Sequence, residues 1–298
     1  MQNNISNALE FFKYVRKQYF CKMFYRLMRK ITLLLLLVAS FYSCGEYQMA
    51  LKNDDVKVKY DMAMKLYDEG IEQDKKSKVK KSLRLIEQIL PQYRGKPQGE
   101  KISYIHADAY YFMEAYFDSG YQFERFTKSY PKSEKVEEAY FKSAKSYYHV
   151  SPRFSKDQRE TYKAIDKFQD YITRFPDGEN IGNANELSSE LREKLEKKSY
   201  EISKQYHHTE DYKAAIASFD NFIEANPGSI YREKAYFYKM ESAYLLAINS
   251  YKYLVQERLL TAKEYYENYK KYFPEGELAE EASIIFQDIN ERLQNYNS

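Results

Sequence analysis

The chain has 298 residues, with 33 Tyr, 9 Gly, 7 Pro and no Trp, and carries 47 Lys/Arg against 44 Asp/Glu. So few breakers beside so many long charged side chains argue for helices and against a sandwich or barrel. Residues 1–43 hold seven of the bases and one of the acids, and the 40 bases and 43 acids that remain give no electrostatic reason to bind nucleic acid. Cysteine occurs only at Cys21 and Cys44, so nothing downstream can form a disulfide and packing alone must hold the fold.

The N-terminus reads as an address. Met28-Arg29-Lys30 precedes an apolar run from Ile31 to Ala39, then Ser40, Phe41, Tyr42, Ser43, Cys44 and Gly45. A basic start, a short apolar run and a small residue before a cysteine form a secretory signal. The run has about half the roughly 20 residues needed to cross a bilayer as a helix. The segment resembles a lipoprotein signal in which Cys44 is acylated, although Phe41 and Tyr42 replace the usual aliphatic and small residues. An uncleaved signal anchor is the alternative. Met28 or Met23 begins a more normal signal, so residues 1–27 read as an over-extended start and Cys21 as absent from the mature protein. Residues 44–56 read as a lipid-attached linker.

Self-similarity follows. Four segments end alike, at Phe126–Pro131, Tyr171–Pro176, Phe222–Pro227 and Tyr269–Pro274. Three residues before each first aromatic lies another, at Phe123, Phe168, Phe219 and Tyr266, and four further back a small residue, at Ser119, Ala164, Ala215 and Ala262. Small, aromatic and aromatic at i, i+4 and i+7 is one face of a helix, and the proline five residues on ends that helix. An earlier unit has Ala63 and Leu66 on its first helix and Ser82, Ile86 and Ile89 on its second, with a link stretched over Gly70–Lys78. The third unit has a long link, His149–Gln158. Leu187, Leu191 and Leu195 lead into Ile202 and Tyr206, which predicts one long helix from about Asn183 to Gln205. Lys234–Tyr251 is a long first helix of unit five, and Glu277–Asn295 reads as a capping helix.

The expected fold is an all-α, tetratricopeptide-type α-solenoid of about five helix pairs with a C-terminal capping helix. Repeats one to three span 57–176; repeats four and five with the cap span 177–298. Small residues let two antiparallel helices approach, and large ones fill the seam.

In such an array the first helix of each pair lines the concave side. Alignment on Ala63, Ala107 and Ala144 puts Tyr60, Tyr104 and Phe141 at one lining position and Tyr67, Tyr111 and Tyr148 at another, with Met64, Asp108 and Lys145 between. Aromatics with polar tips in a partly wet groove are good peptide anchors. The same spacing also suits core positions, and the sequence leaves that choice open. Lys75, Lys76, Lys78, Lys80 and Lys81 read as a solvated face.

No phosphate-cradling glycine loop, G-x-S-x-G elbow or H-E-x-x-H helix occurs. His207-His208 is expected as an exposed pair in a turn, with no acid or cysteine at metal-ligand spacing. These readings predict no enzyme, no metal and no cofactor.

Taken with the signal and the repeats, the stretches Tyr60–Lys65, Pro91–Gly95, Ser151–Gln158, Glu186–Lys198 and Asp211–Ile216 resemble the BamD-type outer-membrane assembly lipoproteins, in the version found in Bacteroidetes-like lineages. The resemblance implies a periplasm-facing, lipid-anchored subunit of the machinery that inserts β-barrels into the outer membrane. Its partners would be a BamA-type barrel insertase, accessory lipoproteins and unfolded outer-membrane proteins. The groove from Tyr60 to Tyr148 would take the barrel's C-terminal targeting segment, and Tyr200, Lys204, Tyr236 and Tyr244 would dock the insertase. A tetratricopeptide lipoprotein adaptor for glycan uptake or cell-wall coordination is the alternative, but chains of that kind are usually longer and favour Trp.

Overall fold

The computed structural model describes residues 45–297, so the signal segment, Cys21 and Cys44 lie outside the described residues. Every regular element among those residues is helical. They fall into two compact units, one ending at Glu114 and one beginning at Ala115.

In the first unit residues 45–52 form α1, followed by α2 (Val56–Glu72), α3 (Lys76–Ile89), a 3-10 turn (Leu90–Tyr93) and α4 (Gln98–Phe112). The segment read as a linker is therefore partly helical. Tyr47 and Ala50 on α1 are buried, and Tyr47 joins the core formed by Ala63, Leu85, Ile86 and Ile102. The Asp55 carboxylate accepts from the Lys57 amide and starts α2. The expected stretched link at Gly70–Lys78 is not there: α2 runs on to Glu72, and α3 begins at Lys76. Gly70 lies inside α2, where a Cβ would come within 2.6 Å of Val79 Cγ2. This glycine serves helix contact, and the turn falls at Asp74, which takes φ +49°. The Lys75 amide donates back to the Gly70 carbonyl at 2.8 Å and closes α2.

The second unit contains α5 (Tyr116–Ser129), α6 (Val136–Val150), α7 (Arg159–Arg174), α8 (Ile181–His208), α9 (Tyr212–Ala225), α10 (Arg232–Ile248), α11 (Lys252–Tyr272) and α12 (Ala279–Asn297). Each helix packs on the next, and α6, α8, α10 and α12 also touch in sequence. That is the arrangement of stacked tetratricopeptide pairs: a row of first helices, each flanked by its second helix. The seam holds the residues that recur in sequence. Ser119, Phe123 and Phe126, Ala164, Phe168 and Tyr171, Ala215, Phe219 and Phe222, and Ala262, Tyr266 and Tyr269 are all buried. Replacing one such aromatic with Ala costs about 3–5 kcal/mol.

Two details depart from expectation. The long helix extends from Ile181 to His208, and Ile202 and Tyr206 are 44% and 41% exposed rather than on its packed face. Its N-terminal half packs on α7 through Leu191, whereas its C-terminal half serves α9 and α10 through Tyr200, Ser203 and His207. The buried stripe therefore shifts along the helix. The long third link becomes the loop between α6 and α7, which is plugged by the buried Gln158 amide. That amide donates to the carbonyls of Arg153 (2.9 Å), Phe154 (3.2 Å) and Lys156 (2.9 Å).

A clamp recurs at two repeat junctions. The Tyr171 hydroxyl and the Glu179 amide both donate to Glu137 Oε1, at 3.0 and 2.9 Å. The Tyr269 hydroxyl and the Leu278 amide both donate to Glu233 Oε1, at 2.9 Å each. The turn must come close to make these bonds, and only glycine permits it. A Cβ on Gly178 would sit 2.5 Å from Glu137 Oε1 and 2.7 Å from the Tyr171 hydroxyl, and one on Gly276 would meet Glu233 and Tyr269 in the same way. Where the aromatic is Phe, at Phe126 and Phe222, the turn carries Ser133 or Ser229 instead. Each of those hydroxyls accepts from the amide two residues on. The missing phenol oxygen leaves space for a side chain. Gly178→Ser alone should therefore lower stability by about 1–3 kcal/mol. Combined with Tyr171→Phe it should cost less than the sum of the two single changes. Urea unfolding of the four proteins reads this coupling, and simple additivity would refute it.

Candidate functional site

The predicted lining residues fall in both units, and each unit sets its own. In the first unit Tyr60 is half-buried beside Tyr93, with centroids 5.1 Å apart, and burial raises its phenol above the ordinary value. The Tyr67 hydroxyl donates to Asp108, which ties α2 to α4. Tyr104 and Tyr111 are half-buried on α4. Met64, read as lining, is instead a core residue packed with Leu85 and Ile86, because α2 turns that face toward α3.

In the second unit Phe141 is also a core residue rather than lining. It lies 5.5 Å from Tyr171 and 6.4 Å from Phe168, in the seam between α6 and α7. Lys145 is half-buried, its ammonium 5.8 Å from the Phe141 centroid. The Tyr148 hydroxyl donates to Glu190 on α8 at 2.5 Å. That bond first, and burial second, push the phenol up to about 12. Lys194 flanks the pair, 5.9 Å from the ring and donating to Ser151 Oγ at 2.9 Å. Its burial pulls the ammonium down, with Glu190 acting against this.

Among the expected docking residues, Tyr200 is core: it stacks on Tyr231 at 5.1 Å and touches Phe219 and Phe222. Lys204 is half-buried, 5.3 Å from the Tyr238 centroid. Tyr236 is held between Phe273 and Tyr272, with the Arg232 guanidinium 5.4 Å from its centroid. It borders a pocket of about 200 Å³ with Asp220, Lys239 and Tyr265. The Tyr244 hydroxyl donates to Asp288 at 2.6 Å, and Arg292 beside it holds that carboxylate below its usual range.

These contacts share one pattern that the sequence reading missed. Tyr67 to Asp108, Tyr148 to Glu190 and Tyr244 to Asp288 each join a tyrosine on one first helix to an acid on the next, 41, 42 and 44 residues on. The alignment already put Tyr67 and Tyr148 at one position. An acid about 42 residues downstream of each was the available signal. The effect is a set of rings whose hydroxyls are tethered and whose orientation is fixed. Such rings lose little freedom when a ligand packs on them.

His207 also differs from expectation. It lies in the last turn of α8, not in a loop, with Nδ1 2.9 Å from Ser242 Oγ and Nε2 3.3 Å from Glu241. Burial lowers its basicity and raises that of the Glu241 carboxylate. Among the described residues no group of three or more His, Cys, Asp or Glu is placed to hold a metal, and no helix is long and apolar enough to cross a membrane.

Residues 59–253 match the model of the YfiO family, described as outer membrane lipoprotein. The chain belongs to this family. It is 25% identical over 181 residues to the outer membrane protein assembly factor BamD of Rickettsia prowazekii (strain Madrid E), a match that covers 61% of the chain and 72% of the relative. It also aligns with a crystal structure of kinesin light chain nearly identical TPR-like repeats from Podosopora anserina. That match is 11% identical, covers 76% of this chain and 96% of the other, and has a TM-score of 0.30.

The tethered tyrosines make stability sensitive to alkali. A phenol whose folded pKa lies above the unfolded value of 10 stabilises the fold below pH 10, and this contribution is lost as pH rises through the folded value. Tyr148 should therefore contribute to a fall in stability between pH 10 and about 12. Tyr148→Phe should cost about 1 kcal/mol at pH 8 and lose less than the parent over the alkaline window. Urea melts at pH 8 and pH 11 check it, and equal losses in both proteins would refute the tether.

Proposed function

We propose that this lipoprotein is a non-enzymatic subunit of the outer-membrane β-barrel assembly machinery, anchored through acylated Cys44 at the periplasmic face. The family match over residues 59–253 carries the reading, and the assembly role is that printed for the Rickettsia relative. The half-buried aromatics of the first unit support it. Tyr60, Tyr67, Tyr104 and Tyr111 offer ring surface with polar tips, and Asp108 beside Tyr67 supplies an acceptor. An extended segment ending in an aromatic residue, as at the C-terminus of an unfolded barrel, would gain ring contacts there at low ordering cost. The second unit carries a similar surface at Lys145 and Tyr148. Its α8 and α10, with Lys204, Tyr236 and Tyr244, are the proposed place for the barrel insertase and accessory lipoproteins. Met64, Phe141 and Tyr200 support these surfaces from the core and make no direct contact.

Purification of C-terminally tagged protein from gently solubilised native membranes tests this. An outer-membrane barrel insertase should be retained at near-equal amount. Tyr104→Ala with Tyr111→Ala should reduce photocrosslinking to a barrel C-terminal peptide at least tenfold, a loss of about 1.4 kcal/mol. Retention of a glycan transporter or peptidoglycan enzymes in place of the insertase would overturn the assembly role and leave the fold standing.

A further inference from the structure

The first unit carries a charged surface that its helix packing does not need. Residues 75–86 hold six basic side chains, Lys75, Lys76, Lys78, Lys80, Lys81 and Arg84, and no acid. Lys76 pairs with Glu114 at 2.6 Å, and Lys78 pairs with Glu69. Lys80, Lys81 and Arg84 form no carboxylate ion pair among the described residues, whereas Lys75 acts on Glu69.

By itself this run is a solvated helix face, as read from the sequence. What changes its meaning is α1. Tyr47 is buried against the α2–α3 core, and the Lys81 ammonium lies 5.3 Å from its ring centroid. Glu46 reaches Lys65 at 3.2 Å. Together α1, α2 and α3 border an open pocket of about 330 Å³, lined in part by Tyr47, Leu66, Lys78 and Lys81 and by the acids Glu46 and Glu69. The described chain enters this unit as a helix at Gly45, two residues before the buried Tyr47, and residue 44 is the next position in the sequence. A bilayer that holds residue 44 must therefore pass close to this edge of the unit. A long flexible tether would impose no such closeness.

We propose that the edge formed by α1 and the Ser77–Arg84 stripe of α3, whose side chains at i, i+3, i+4 and i+7 share one helix face, docks on the membrane surface and binds anionic lipid headgroups, with Lys80, Lys81 and Arg84 as the contacts. The anchor in this proposal rests on the lipoprotein reading, whereas the surface rests on the docked α1 and the charge of α3. Each basic side chain held at an anionic leaflet strengthens association about fivefold, so three contribute roughly a hundredfold. The attraction falls off within a Debye length of about 8–10 Å, which matches the short reach imposed by α1. The first unit would then meet the bilayer by a defined edge.

The full chain, processed in cells and purified with its native N-terminus, is labelled at Ser77→Cys, an exposed position on α3. A reporter at Glu267→Cys in the second unit serves as reference. Both are reconstituted in vesicles of phosphatidylcholine, with or without about 30 mol% phosphatidylglycerol, carrying a quencher on the headgroups. Quenching at position 77 should at least double on the anionic vesicles and revert in about 0.5 M salt. It should be lost when Lys80, Lys81 and Arg84 are changed together to Gln, a residue of similar helix propensity. Equal quenching on neutral and anionic vesicles would overturn the proposal. The mass of the N-terminal peptide separates the two readings. Unmodified Cys44 with charge-dependent quenching keeps the surface and removes the lipid anchor, and acylated Cys44 with charge-independent quenching does the reverse.

Discussion

The structure depends on one packing constraint, the fit of small residues against aromatic ones along the seam of each helix pair. Ala164, Ala215 and Ala262 let the paired helices approach, and Phe168, Phe219 and Tyr266 fill the volume beside them. Close packing of this kind leaves no room for one-atom changes. At the clamps, the phenol oxygen of Tyr171 or Tyr269 occupies the space that a side chain at Gly178 or Gly276 would need. In the other two repeats phenylalanine gives that space back, and serine takes it. The chain thus meets one geometric requirement in two chemical ways.

Once the seams are set, the first helices present their remaining faces at fixed spacing. The tethers at Tyr67, Tyr148 and Tyr244 follow, because a tyrosine one turn past the seam meets the next first helix about 42 residues on. The tethers hold the rings in one orientation at little cost, since each hydroxyl trades water for a carboxylate. Preorganised rings suit a binding protein that must accept extended segments of varied sequence. The proposed role rests on contact with such segments.

The N-terminal edge of the first unit follows separate rules. A lipid anchor followed by a flexible linker would leave the domain free to tumble at the surface. Here α1 inserts Tyr47 into the core of the first unit, so an anchor at residue 44 would leave only a few residues between them. The proposed docking of the basic stripe of α3 would turn a point attachment into an oriented one, which a receptor working beside an insertase would need.

Much of this was legible in the sequence. The i, i+4, i+7 pattern of small and aromatic residues, closed by proline, determined that the chain is helical, how its repeats fall and which residues form the seams, because helical periodicity is a local property. The same logic supported the family resemblance that the match over residues 59–253 bears out. The sequence could not divide the aromatics between core and face. Met64 and Phe141 look like lining residues by spacing, and Tyr200 is a docking residue by resemblance, yet each lies under a neighbouring helix, and which helix covers them depends on crossing geometry. Nor could it show that Gly70 sits within a helix rather than in a loop, that His207 is packed against Ser242, or that Tyr47 is buried. Those placements, like the acids that receive the tyrosine hydroxyls, join residues tens of positions apart. Only the tertiary structure decided them, because they depend on how the helices stack, which no local pattern encodes.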